Sequence, residues 1–232
     1  MELINVDDNV KWIIATKNEA FSKSAINIFR ININEYFNQI SNVYDSHLSY
    51  TEIEKAFRFH NENDKKRYIA SKYALRNILS EFLLIPPAKI CIYKSENKKP
   101  TVSGIEFNVT HSKNYIIIGI SPLKIGIDIE HIDYHFNYKD ITFSCFSPEE
   151  LKQMSKNNTS SGFYYIWTRK EAVLKASGEG LIDNMNELNS LCSSITRKKI
   201  TYRLQSFMSD KEYAGCIAFE AQEISLNYWD YK

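Results

Sequence analysis

The sequence predicts an α+β fold in which helices interleave with mostly antiparallel strands. Three observations carry that prediction. Ile69, Tyr73, Leu75, Ile78, Leu79 and Phe82 recur at helical spacing. Ser147-Pro-Glu-Glu reads as a helix start, with a hydroxyl at the cap, proline at the first position and Glu150 three residues on. Short apolar runs with β-like alternation occupy the middle of the chain and its tail.

Taken in order, Val10 to Ala15 and Ile26 to Ile33 are apolar stretches that read as strands, or as a strand and a helix. The helix predicted from Asp64 to Phe82 can be capped by Asn63 or Asp64, and Pro86-Pro87 prevents its continuation. β-like segments follow at Ile90 to Tyr93, Glu106 to Thr110, Tyr115 to Ser121 and Lys124 to Glu130. Ser121-Pro122-Leu123, between the last two, suits either a hairpin or a crossing between subdomains. Beyond the Ser147 start, a second helix is expected from about Gly162 to Ser177, with Gly178 placed to end it. Ile200 to Trp229 alternates enough for two or three strands.

A length of 232 residues fits one large domain or two small ones. With only 7 Gly and 5 Pro and no linker-like stretch, two domains would have to be joined by something short and ordered. Lys plus Arg is 29 and Asp plus Glu is 28, so a globally basic nucleic-acid binder is disfavoured and any polyanion must meet a local cluster. Four cysteines without a C-x-x-C pair, and an acidic N-terminus with no apolar core, read as free thiols in a reducing cytoplasm. The apolar runs are too short to span a bilayer. The expectation is a soluble cytoplasmic protein.

Chemistry concentrates in a few segments. In Ile125-Gly-Ile-Asp-Ile-Glu130 the isoleucines face one side of a strand and Asp128 and Glu130 the other. Oxygen ligands at that spacing suit Mg²⁺ with a substrate phosphate; a solvated edge strand has the same pattern. Glu171 and Lys175 share a helical face, as ligand or base and phosphate contact, or as an i,i+4 surface pair. His111 ends Asn108-Val-Thr-His-Ser112 among small donors, where it would bind a phosphate or close a turn. Basic residues cluster at Lys55, Arg58, Lys65, Lys66, Arg67, Lys72 and Arg76, and again at Lys94, Lys98 and Lys99. No P-loop, nucleophile elbow or dinucleotide fingerprint occurs.

Lys99-Pro100, Phe107-Asn-Val-Thr-His-Ser112, Gly126-Ile-Asp-Ile-Glu130 and Trp167-x-x-Lys-Glu-x-x-x-Lys175, followed by Gly178-Glu-Gly-Leu181, form an ordered set. That set resembles the motifs of the 4′-phosphopantetheinyl transferase superfamily, and its longer surfactin-synthetase-activating type, over about residues 50–181. The resemblance implies two similar α+β subdomains related by a pseudo-twofold axis, each a small sheet packed with helices. They would span residues 1–121, with coenzyme A phosphate contacts, and 122–232, with the acidic triad and carrier docking. Asp128, Glu130 and Glu171 match the family's Mg²⁺ ligands, with Glu171 also the base and Lys175 a phosphate contact that assists the leaving group. Thr110, His111, Lys99, Arg67 and Lys55 match contacts to coenzyme A. Lys98 stands where the family has the Gly of Gly-Lys-Pro, and Thr110 where it has Ser.

The activity implied is transfer of 4′-phosphopantetheine from coenzyme A to a serine of an apo carrier protein, by a monomer with Mg²⁺, as in holo-[acyl-carrier-protein] synthases. A Mg²⁺-dependent phosphohydrolase, or a silent coenzyme A or carrier-binding module, would use the same residues. The aromatic stretch His135-Phe-Asn-Tyr138 and Phe143 to Phe146 is a candidate carrier contact, or core packing.

Overall fold

The computed structural model describes residues 6–7, 10–16, 21–157, 160–180 and 182–232. The first half runs β1 (Val6–Asp7), β2 (Ile13–Ala15), β3 (Ile26–Asn32), α1 (Ile33–Ile40), α2 (Tyr50–Phe57), α3 (Glu62–Leu83), β4 (Tyr93–Lys94), β5 (Pro100–Thr101), β6 (Glu106–Ser112) and β7 (Tyr115–Ser121). The second runs β8 (Ile125–His131), α4 (Lys139–Cys145), α5 (Pro148–Asn157), α6 (Ser160–Ser177), β9 (Ser194–Arg197), β10 (Ile200–Asp210), β11 (Tyr213–Glu220) and β12 (Leu226–Tyr231).

The expected α+β architecture of two similar halves is present. Each half repeats one topology: a strand, a long helix, then an antiparallel hairpin whose second strand pairs with the first strand. This gives the order β3-β7-β6 in one sheet and β8-β11-β10 in the other. Ser121-Pro122-Leu123 is the crossing, since β7 and β8 lie in different sheets. The terminal strands cross back. β12 joins the first sheet parallel to β3, with Leu226 opposite Ile26, and β1 joins the second parallel to β10, with Val6 opposite Ser206.

Strand alternation explains the layering. Ile26, Ile28 and Ile117 of the first sheet meet Ile125, Ile127, Ile129, Phe207 and Ile217 of the second in one apolar cluster. Phe29, Ile31, Ile116, Ile118 and Ile120 point the other way, onto α1 and α3. On the far side of the second sheet, Cys216 and Ala218 lie under Ala172, Val173 and Ala176 of α6. The order is helix, sheet, sheet, helix, and burial on both faces is why β7 reads as a continuous run of isoleucine.

Local chemistry sets the ends of the elements. Ser147 and Glu150 form the capping box expected of Ser-Pro-Glu-Glu, the Ser147 amide donating to Glu150 Oε2 at 2.7 Å and the Glu150 amide to Ser147 Oγ at 3.3 Å. α3 begins earlier than the apolar spacing suggests. Its cap is Asn61, whose Oδ1 accepts from the amides of Asn63 and Asp64, so neither of those residues is the cap. α3 ends at Leu84, which adopts the left-handed conformation at φ 57°, before the prolines are reached. Helices α1, α2 and α4 lie where no helix is predicted from the sequence. α1 follows directly on a strand, and α2 and α4 have eight and seven residues, too short for periodicity to stand out.

Gly126 fixes how closely α6 approaches β8. A Cβ at this position would run into the Ala172 carbonyl oxygen and the Ala176 amide nitrogen, both backbone atoms. We expect Gly126→Ala to destabilise the fold by about 3 kcal/mol or more, the upper range for overpacking. Urea unfolding measures it, and a midpoint equal to wild type would refute this tight contact.

Candidate functional site

The site forms where β6, the edge of the first sheet, runs beside β8, the edge of the second. Side chains on alternate residues of β6 cross the seam. Asn108 Oδ1 accepts from the Ile127 amide at 2.9 Å. Thr110 Oγ1 donates to Asp128 Oδ1 at 3.0 Å, and Ser112 Oγ donates to Glu130 Oε2 at 2.9 Å while accepting from the His131 amide at 3.0 Å. Because Ile125, Ile127 and Ile129 fill the core between the sheets, Asp128 and Glu130 lie on the Gly126 face of β8, toward α6. Lys175, one turn beyond Glu171 on α6, brings Nζ to 2.5 Å from Asp128 Oδ1 and 3.4 Å from Thr110 Oγ1. Its ion pair is with Asp128, so the surface pair with Glu171 is not the arrangement adopted.

The electrostatics are those of carboxylates crowded out of water. Asp128 is 3% exposed; burial pushes its carboxyl above the usual range, opposed by the Lys175 charge and the bonds from Lys175 and Thr110. Burial and then the Asp128 charge push Glu130 up to about 7, against the Ser112 hydrogen bond. Glu171 is raised by burial and by Asp128, with Lys175 opposing. The opposite wall is basic. Desolvation and then the Arg67 charge hold His111 below the usual histidine value. Burial lowers Lys99, whose Nζ donates to the Ile125 carbonyl at 3.1 Å. Arg67 pairs with Asp64 at 2.7 Å. Lys55 stands apart on α2, its ammonium 5.2 Å from the centre of the Tyr68 ring.

Among the described residues, no three His, Cys, Asp or Glu side chains converge as a preformed metal-ligand cluster. The acidic residues nonetheless suit a divalent cation. Asp128 Oδ2 is buried without a hydrogen-bond partner, Glu130 and Glu171 are both raised, and the donors are all oxygen.

Several supporting residues went unrecognised in the sequence. Ser112 and Asn108 hold the seam, and only the alternation of polar side chains along β6 hints at them. Lys170, beside Glu171, is fully buried. Its Nζ pairs with the equally buried Glu150 at 2.8 Å and also donates to the carbonyls of Met185 and Leu188. Glu150 Oε1 accepts from the amide and hydroxyl of Ser190, both at 2.7 Å. This network anchors the turn of α6 that carries Glu171. Trp167 stacks on Phe163 as part of the packing around α6.

Gly178, at φ 69°, follows α6, and Glu179 makes two hydrogen bonds to Arg197, at 3.0 and 2.7 Å. Leu181, the last residue of that motif, lies outside the described residues. From the other half, Asn97 Nδ2 donates to the Gly178 carbonyl at 2.6 Å. Lys98 preserves the preceding turn by adopting φ 61°, the conformation glycine takes readily.

The site thus gathers the acidic residues of β8 and α6 with Lys175, His111, Arg67 and Lys99 around the seam. Two family models adjoin along the chain. One, "4′-phosphopantetheinyl transferase, N-terminal", matches residues 38–122, and the other, "4′-phosphopantetheinyl transferase superfamily", matches residues 124–224. The chain belongs to the 4′-phosphopantetheinyl transferase superfamily and is consistent with its surfactin-synthetase-activating type. It is similar to the 4′-phosphopantetheinyl transferase HetI of Nostoc sp., 27% identical over 95% of this chain and 98% of the relative. It is similar also to the 4′-phosphopantetheinyl transferase gsp of Aneurinibacillus migulanus, 32% identical over 66% of this chain and 65% of that one. The match to Sfp of Bacillus subtilis is 27% identical over 59% of this chain and 62% of the relative, so these last two are spanned for less than two thirds of their length.

Glu130 gives a prediction with a definite sign. Its carboxyl holds a proton in the folded protein up to about 7, against an ordinary glutamate value of 4.5. Between those values the folded state binds more protons than the unfolded one, so this group's contribution to stability falls as pH rises. Without divalent metal, Glu130→Gln should raise the melting temperature at pH 8 by roughly 2–6 °C and leave it nearly unchanged at pH 4. An equal effect at both pH values would contradict the raised carboxyl.

Proposed function

We propose that the protein transfers the 4′-phosphopantetheine group of coenzyme A to a serine hydroxyl of an apo acyl or peptidyl carrier protein, releasing 3′,5′-ADP. The observation that carries this reading is the seam itself: buried Asp128 and half-buried Glu130 and Glu171 on β8 and α6, with Lys175 bonded to Asp128 and the His111 and Arg67 side chains near it. We assign it the activity of a holo-[acyl-carrier-protein] synthase, working as a cytoplasmic monomer without nucleic acid or membrane.

The functional halves are residues 1–121, which would contact the coenzyme A phosphates, and 122–232, which would carry the acidic triad and receive the carrier. Asp128, Glu130 and Glu171 would hold Mg²⁺, which when bound supplies charge neutralisation at the pyrophosphate. Arg67, Lys99, Thr110 and His111 bind the phosphates, with Lys55 at the outer end. The carrier serine loses its proton to Glu171, a carboxylate whose affinity for protons is raised by burial and by the Asp128 charge. The serine oxygen attacks the β-phosphorus. The bond to the bridging oxygen breaks, and Lys175 meets the charge that develops on the departing 3′,5′-ADP. The protein contributes positioning and electrostatics rather than a covalent nucleophile.

For the carrier, we assign the surface around α4, next in sequence to the acidic strand. Tyr134 and Phe143 are exposed there, at 63% and 75%, whereas Phe146 is buried and Tyr138 stacks on Phe163, so the anchors are restricted to the exposed rings.

Incubation with coenzyme A, Mg²⁺ and several apo carriers, followed by mass spectrometry of the carriers, tests the activity. The expected result is the mass of one phosphopantetheine added. No gain on any carrier would reject the reading, and loss of coenzyme A without a carrier would indicate hydrolysis. Asp128→Ala or Glu171→Ala should lower turnover by at least ~10² with the fold retained. A near-normal rate in either would remove that residue from the site.

A further inference from the structure

We propose that Lys175 and the divalent cation compete for Asp128, so that the cation binds tightly only together with coenzyme A. This rests on the reading of the site given above and adds a coupling between its two small ligands.

The geometry around one carboxylate carries the argument. Asp128 Oδ1 receives two donors, the Lys175 ammonium at 2.5 Å and the Thr110 hydroxyl at 3.0 Å. Oδ2 is closed off from solvent and bonded to nothing. The Asp128 side chain is 4% exposed and that of Lys175 is 29% exposed, so a cation arriving from the cleft meets the ammonium before the carboxylate. A divalent ion placed on Asp128 while the ammonium remains would set like charges against each other in a poorly hydrated pocket.

The lysine also has somewhere to go. Its Nζ is 3.4 Å from Thr110 Oγ1, and its charge is felt by His111. Thr110 and His111 belong to the wall assigned to the phosphates. A flexible four-carbon stem can swing the ammonium past Thr110 from the carboxylates to a phosphate group. Coenzyme A then offers the lysine a replacement anion and frees Asp128 for the cation. Linkage requires the reverse as well: the cation must tighten coenzyme A by the same factor.

The test measures binding, with Mn²⁺ as the probe at pH 8, free ion counted by electron paramagnetic resonance, and the metal held by coenzyme A alone subtracted. In the wild-type protein, coenzyme A should tighten Mn²⁺ by at least ~10-fold, and Mn²⁺ should tighten coenzyme A equally. Lys175→Gln, which keeps a donor for Asp128, and Lys175→Met should each bind Mn²⁺ without coenzyme A at least ~10-fold tighter than wild type, and the coupling should shrink by the same factor, leaving only what the pyrophosphate itself contributes. Unchanged Mn²⁺ affinity in both folded variants, or wild-type constants for either ligand that ignore the other, would overturn the competition while leaving the metal site intact. Failure of the wild-type protein to take up Mn²⁺ even with coenzyme A would reject the site reading itself, and the competition with it.

Discussion

The structure turns on a seam between two sheet edges where carboxylates are held out of water. β6 and β8 belong to different sheets, yet Asn108, Thr110 and Ser112 bind Ile127, Asp128, Glu130 and His131 across the gap. An edge strand ordinarily exposes unpaired backbone groups. Here one edge is used to hold the other, and the side chains that do so also orient the acidic residues. Position and electrostatic stress have different origins: the Thr110 and Ser112 hydroxyls fix Asp128 and Glu130 and favour their charged forms, whereas burial pushes both carboxyls up.

The rest of the fold makes this placement rigid. Ile125, Ile127 and Ile129, which alternate with the acidic residues, are committed to the core between the sheets, so β8 cannot rotate to expose its carboxylates without emptying that core. α6 is held against β8 at Gly126 and anchored on its other side by Lys170 and Glu150, an ion pair that makes further hydrogen bonds to surrounding backbone. The exchanged terminal strands tie the two sheets together in addition to the short Ser121-Pro122-Leu123 crossing. The absence of a linker-like segment in the sequence thus has a structural reason: the two halves contact each other directly along β6 and β8.

Much of this is legible in the sequence. The strand Ile125 to His131 announces its core face by strict alternation, and the capping box at Ser147 and the α3 spacing are local signals that tertiary packing did not override. The grouping of Thr110, His111, Asp128, Glu130, Glu171 and Lys175 followed from resemblance, because spacing alone left each with a plainer explanation. What stayed hidden is long-range. Lys170 beside Glu171 looks like any charged helical residue until Glu150 is seen buried against it. Nothing local says that residues 226–231 pair with a strand 200 positions earlier, or that Lys175 turns toward Asp128 rather than Glu171. Short helices such as α1 and α2 are hard to read because eight residues give too few turns for a period to stand out, although Ile33, Tyr36, Phe37 and Ile40 of α1 do fall at helical spacing.

The seam crowds Asp128, Glu130 and Glu171 out of water and raises all three carboxyls, a strain that the proposed cation would relieve. A nuclear magnetic resonance titration of the Glu130 side-chain carboxyl carbon measures this directly. The account predicts a midpoint of about 7 without metal, and a fall toward or below the ordinary glutamate range once Mg²⁺ and coenzyme A are bound. A midpoint near the ordinary value in the metal-free protein, unmoved by the ligands, would contradict it.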